Sequence, residues 1–299
     1  MRSARSRRKE AAPESRRACA WVAHAEATAS WRRARNAGRP ALAIFAVSVH
    51  ESFSSAVSDR LRLMTIVADR FAGSVPAGVA SLWVFPGGYF GYSAVRQRWR
   101  EMPATARRTI EHGLRTVARR FPVPSLIAAG VDGYRTRHDE YPTQQAWVVE
   151  RRPSGVEISR LTRRESQLAH RQFRIGRARA AFFICGEFTG SYTKANGPFC
   201  TDREDDDHYL DDLTRQLPGC NVLVDLAHHK VSGSVSGVCG PRMVHRRQME
   251  RFAAQGIAVL AHHHAGNSAN GRPHFKHQSN WIVFRGRDWL PRSAVVALP

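Results

Sequence analysis

The side chains whose types and spacing bear on chemistry are few in this 299-residue chain. Cys185-Gly186-Glu187 sets a thiol two residues from a carboxylate, and in extended backbone the two share one side. A cysteine attacks as the thiolate, whose free pKa of about 8.5 leaves it mostly protonated near neutrality unless a base or cation assists. The plain alternative is a core cysteine, since Phe182-Phe183-Ile184 precede it. His262-His263-His264 raises a metal site, with His228, His229 or Cys239 as further ligands. Adjacent strand residues alternate faces, however, and neither HExxH nor paired-cysteine spacing is present. A polar strand end is the better reading, and no metal is expected. Glu204-Asp205-Asp206-Asp207 reads as a helix N-terminus, where carboxylates complement the dipole, rather than a cation loop. Ser232–Gly237 lacks a Walker lysine and any GxGxxG, and reads as a flexible loop. Cys200, Cys220 and Cys239 are too widely spaced for zinc pairs. No cofactor is expected.

These residues need elements to position them. Apolar runs of strand length stand at 41–49, 79–85, 124–130, 179–188, 221–226 and 257–261, with late strands at 280–285 and 293–298. Helical periodicity covers 54–71 and 103–121, and is expected over 205–216 and 244–255. Segments 145–150 and 156–161 flank Pro153-Ser154-Gly155 as a hairpin. Buried strands alternating with amphipathic helices indicate an α/β fold. Functional groups of such folds sit past strand carboxyl ends. Three ends stand out: Phe85-Pro86-Gly87-Gly88 running on to Tyr92, Ile184-Cys185-Gly186-Glu187, and Asp225-Leu226-Ala227-His228-His229.

In order and spacing, these elements resemble the nitrilase, or carbon–nitrogen hydrolase, superfamily. Val84-Phe85-Pro86-Gly87 with Gly91-Tyr92 resembles its Pro-Glu strand end, and Ile184-Cys185-Gly186-Glu187 its nucleophile strand end. Gln255–Ala261 followed by His264-Ala265-Gly266-Asn267 resembles a later helix-to-strand passage, so the likeness covers roughly residues 41–290. The resemblance implies an α-β-β-α sandwich, a homodimer paired through helices, and hydrolysis of a small amide or nitrile by a Glu-Lys-Cys triad. Cys185 would be the nucleophile. The glutamate position holds Gly87, and there is no lysine between Lys9 and Lys194. The segment that should supply the lysine offers Arg160, which can support an oxyanion but places its charge differently. Glu165 resembles the family's accessory glutamate, and Glu187 would act as a substitute base, a role the family's acidic residue at that place does not have. Loss of a general base typically forfeits about 10²–10⁴ in rate. The resemblance therefore carries two readings: a divergent thiol hydrolase using Cys185, Arg160, Glu187 and Glu165, or an inactive binding or regulatory module on the same fold.

The net charge of +21 raises a third reading, nucleic-acid binding. All but four of the 46 basic residues are arginine, which points to a GC-rich coding bias and makes this partner less favoured. Residues 1–40 carry 11 basic and three acidic residues and are expected to be a solvated basic tail, with helix around Ala18–Trp31 as the other reading; residues 41–299 form one domain. Arg7-Arg8 is not followed by an apolar stretch, and no run reaches the roughly 18 residues of a membrane helix, so a cytoplasmic chain without membrane spans is expected.

Overall fold

Strands that are apolar on both faces must be covered on both faces, and two stacked sheets with helices outside supply that cover. The computed structural model describes residues 20–28, 40–50, 53–93, 98–99, 102–134, 143–162, 168–184, 216–227, 256–261, 263–264, 281–284, 287–288 and 294–296. In chain order the elements are β1 (Ala20–Thr28), β2 (Pro40–His50), α1 (Val57–Phe71), β3 (Ala80–Val84), β4 (Tyr92–Ser93), β5 (Arg98–Trp99), α2 (Ala104–Ala118) and β6 (Ser125–Tyr134). Then follow β7 (Thr143–Arg152), β8 (Gly155–Thr162), β9 (Gln172–Ile175), β10 (Ala178–Ile184), β11 (Val222–Leu226), β12 (Ile257–Ala261), β13 (His263–His264), β14 (Trp281–Phe284), β15 (Arg287–Asp288) and β16 (Ala294–Val296).

The first sheet has the order β16-β1-β2-β3-β6-β7-β8, with β13 also beside β2; the second runs β15-β14-β12-β11-β10-β9. β2, β3 and β6 are parallel, as are β10, β11 and β12, so each sheet gathers three carboxyl ends on one edge. Alternation along each strand divides the core. Leu42, Ile44, Ala46, Leu82, Val84, Ala128, Ala146 and Val148 meet Phe182, Ile184, Val224, Leu226 and Val259 of the second sheet. Phe45, Trp83, Phe85, Ile127 and Trp147 point the other way, onto Leu63, Met64 and Val67 of α1 and Ile110, Leu114 and Val117 of α2. The mixed α/β sandwich expected from the sequence is the fold observed.

The helix-facing core is aromatic and its polar atoms are bonded. Trp83 stacks on Phe45 with ring centroids 3.7 Å apart and meets Phe121 edge-on at 4.9 Å. Its Nε1 donates to Ser81 Oγ at 2.8 Å, and Ser81 Oγ lies 2.8 Å from Ser125 Oγ, tying β3 to β6. Trp147 Nε1 likewise donates to Gln145 Oε1 at 3.0 Å.

One boundary is corrected. Ala20–Thr28, expected within the tail, is a strand that pairs antiparallel with β2 and with β16. Its alanine-rich composition has little strand propensity; backbone pairing along β2 overrides it. The helices expected over 205–216 and 244–255 lie outside the described residues apart from Gln216. Among the described residues no helix is long and apolar enough to cross a membrane.

The stacked pair gives a stability expectation. Trp83→Ala removes a fully buried ring and one of the hydrogen bonds to Ser81 Oγ, and should cost about 3–5 kcal/mol in urea unfolding. Arg120→Ala, which breaks only the exposed pair with Asp69, should change stability by less than about 1 kcal/mol.

Candidate functional site

The chain leaves β3 into a turn whose shape is set by backbone atoms. Phe85 N–H donates to Ala128 O at 2.8 Å, Gly130 N–H to Pro86 O at 3.0 Å, Phe90 N–H to Gly130 O at 2.9 Å, and Asp132 N–H to Phe90 O at 2.9 Å. The turn is thereby laced to β6. Gly88 and Gly91 have φ of +63° and +93°, which L side chains rarely adopt. Gly130 is required for a different reason. A Cβ there would overlap Gly88 N and Gly87 Cα, so the turn lies directly against β6.

The same turn reaches the second sheet. Gly87 N–H donates to Ala227 O at 3.2 Å, and Ala227 N–H to Ala261 O at 2.9 Å. Ala227 follows β11, whose Leu226 is in register with Ile184, the last residue of β10. Carboxyl ends from both sheets thus converge on Pro86-Gly87-Gly88. Behind the turn, Tyr89 Oη donates to Arg60 O at 2.6 Å. The Arg60 guanidinium lies 5.2 Å from the Tyr89 ring and 5.0 Å from that of Phe53, and Nε donates to Ser54 O at 2.7 Å. Arg60 is only 2% exposed, so a buried cation joins the start of α1 to the turn.

Among the described residues, three charged side chains near this edge are buried. Asp132, wholly buried, is two residues beyond Gly130; its neighbour Val131 belongs to the helix-facing core, which puts Asp132 on the intersheet side. Asp225 is equally buried, but alternation with Val224 and Leu226 sends it to the outer face of the second sheet. Arg171, also wholly buried, donates from Nη2 to Thr162 O at 2.9 Å and from Nη1 to Phe182 O at 3.4 Å. It therefore joins the end of β8 to β10, and its guanidinium lies 5.9 Å from the Phe183 ring. Sequence reading passed over Asp132 and Arg171. For Asp132 the available signal was a charged residue near the end of an apolar strand; Arg171, in the turn before β9, offered none.

The expected site residues separate into two groups. Cys185 directly follows β10, but Cys185, Glu187 and Glu165 lie outside the described residues, as do Glu204–Asp207, Ser232–Gly237, Cys200 and Cys239. Arg160 is described, and the oxyanion position expected for it is corrected. Its guanidinium is 4.8 Å from the face of Trp147 and paired with the Glu111 carboxylate of α2. Trp147 belongs to the helix-facing core, whereas the next residue, Leu161, enters the intersheet core. The two-residue strand period thus turns Arg160 away from the strand ends that converge on Gly87. His263 and His264 pair with the end of β2, in keeping with a polar strand end. Among the described residues no cluster of three or more His, Cys, Asp or Glu side chains is arranged to hold a metal. Cys220 is half-buried, with Sγ 3.2 Å from Val222 O, and burial pushes its thiol up to about 11.

No protein-family model and no curated protein sequence matches the chain. Solved structures do. A cysteine-to-alanine mutant of an amidase of the nitrilase superfamily from Nesterenkonia aligns with a TM-score of 0.52 and 14% identity, over 86% of this chain and 90% of that one. A carbon–nitrogen hydrolase from Helicobacter pylori aligns with a TM-score of 0.50 and 10% identity, over 80% of this chain and 81% of that one. The chain has the carbon–nitrogen hydrolase fold.

Proposed function

We propose that this fold hydrolyses a carbon–nitrogen bond of a small amide or nitrile, with the Cys185 thiolate attacking the electrophilic carbon. The observation that carries the reading is the convergence of strand ends: the Gly87 turn is bonded to Ala227, one residue beyond the partner of Ile184, and Cys185 is the next residue after Ile184. For an amide, thiolate attack gives a tetrahedral oxyanion. Its collapse breaks the C–N bond as the leaving nitrogen takes a proton, and water then cleaves the thioester to release the acid. Gly87 supplies no carboxylate for these proton transfers. Asp132, Glu187 and Glu165 are the carboxyl groups we assign as candidates, with Asp132 the one whose burial on the intersheet side is defined. Arg160 has no part in this scheme, because its guanidinium is held against Trp147 and Glu111, turned away from the converging strand ends.

A second reading is a binding module that keeps the fold without turnover. It is favoured by the bare backbone at Gly87 and by the outward Arg160.

Alkylation by iodoacetamide against pH, read at each cysteine by peptide mass, separates the two. If the hydrolase reading holds, Cys185 reacts fastest, with an apparent pKa below about 8.5. Cys220 should be the slowest reference, since a thiol raised to about 11 stays protonated until well above neutral pH. Cys185→Ser should then abolish turnover on an amide panel. Cys185 reacting no faster than Cys19, which lies in the basic segment 1–40, would leave the binding module. Gly130→Ala, which drives Gly87-Gly88 off β6, should slow Cys185 alkylation and cost about 1–3 kcal/mol. No change in either would show that the turn does not shape the cysteine's surroundings.

A further inference from the structure

A second concave site lies at the opposite end of the first sheet. β6 runs from Ser125, beside this site, to Gly130 at the converging strand ends, a separation of about 17 Å. The cleft measures about 310 Å³ and is lined by Arg115, Arg119, Arg151 and Arg152, with Val123 and Val156 among the apolar side chains. Its walls are the last turn of α2, the segment leading into β6, and the hairpin of β7 and β8.

The four guanidinium groups are not equivalent. Arg115 is paired with Glu111 and donates to Val156 O at 2.9 Å. Arg152 is paired with Glu150. Arg151 donates from Nη1 to Ala118 O at 2.8 Å, and among the described residues no carboxylate meets it. Burial lowers its pKa from the ordinary arginine value, in keeping with a partly desolvated cation that has no counter-charge. Arg119, exposed at the C-terminal end of α2, likewise has no carboxylate partner among the described residues. At least two positive charges in one cleft are therefore uncompensated, since the Glu111 carboxylate is also shared with Arg160. Helix-end capping explains one of them, since Arg151 already satisfies Ala118 O. It does not explain why Arg119 and the paired Arg115 and Arg152 line the same cavity.

We propose that this cleft binds an organic phosphate monoester. A phosphate monoester carries about −1.5 to −2 charge near pH 7, which matches the two uncompensated cations. Planar guanidinium forks suit its oxygens. The volume exceeds that of the phosphate group alone, and the remaining wall is apolar. Val123, 38% exposed, is the one large hydrophobic side chain in the exposed class among the described residues. A small ligand fits better than a nucleic-acid strand, because Glu111 and Glu150 flank the cations and would repel a continuing phosphate backbone. The inference does not depend on Cys185, so it stands or falls separately from the proposed hydrolase.

The test is calorimetric titration of the full chain at low salt with phenyl phosphate, inorganic phosphate and a short single-stranded DNA. Phenyl phosphate should bind 1:1 and more tightly than inorganic phosphate, and Arg119→Gln should weaken it at least about tenfold at an unchanged melting temperature. Arg151→Gln should weaken it similarly. No heat with phenyl phosphate up to about 10 mM would overturn the proposal. So would affinity unaltered by Arg119→Gln, or DNA binding without phenyl phosphate binding.

Discussion

The central strands of the first sheet must fill two cores at once, and the rest of the structure follows from that constraint. β2, β3, β6 and β7 have no polar face to mark which side is out. Side-chain size does the sorting. Alanines and medium aliphatics face the second sheet, where layers stack about 10 Å apart, and Phe45, Trp83 and Trp147 face the helices. A one-residue slip would send those rings into space shaped for Ala46, Ala128 and Ala146. The Trp83–Ser81–Ser125 chain of bonds adds a polar check on the same register. With the register set, the strand ends that meet at Gly87 have no freedom to miss one another.

Among the described residues, the candidate site is accordingly built from backbone more than from side chains. Gly130 admits the turn, Ala227 anchors it, and Arg60 braces it through Tyr89 from behind. Among the described residues, the buried guanidinium groups are received by backbone carbonyls and aromatic faces, as Arg60 and Arg171 show. A buried arginine is costly unless so received. That two are kept, both joining elements near the converging strand ends, indicates how much of the local architecture they hold in place.

Most of the strand and helix plan was legible in the sequence because buried parallel strands are continuous apolar runs. α1 and α2 showed the helical period, and the hairpin showed its Pro-Ser-Gly turn. β1 was hidden because its order comes from pairing with β2 and not from its own residues. The three strand ends that matter could be named from Pro86-Gly87-Gly88, Cys185 and Ala227. What could not be read was direction. Arg160 sits one residue from the inward-facing Leu161, and only the register of β8 against β7 tells which of the two faces the second sheet. Asp132 and Arg171 escaped because burial is a property of the assembled layers.

The Glu111 carboxylate, shared by Arg115 and Arg160, illustrates how the surface is supplied with charge: two guanidinium groups to one carboxylate. The ratio holds for the chain as a whole, with 46 basic residues against 25 acidic ones. Ionic strength then acts on such a surface in two opposing senses. Added salt weakens exposed pairs worth about 0–1 kcal/mol each. It also screens repulsion among the surplus arginines, with a screening length of about 8 Å at physiological ionic strength. The medium therefore enters the balance of charges on both sides.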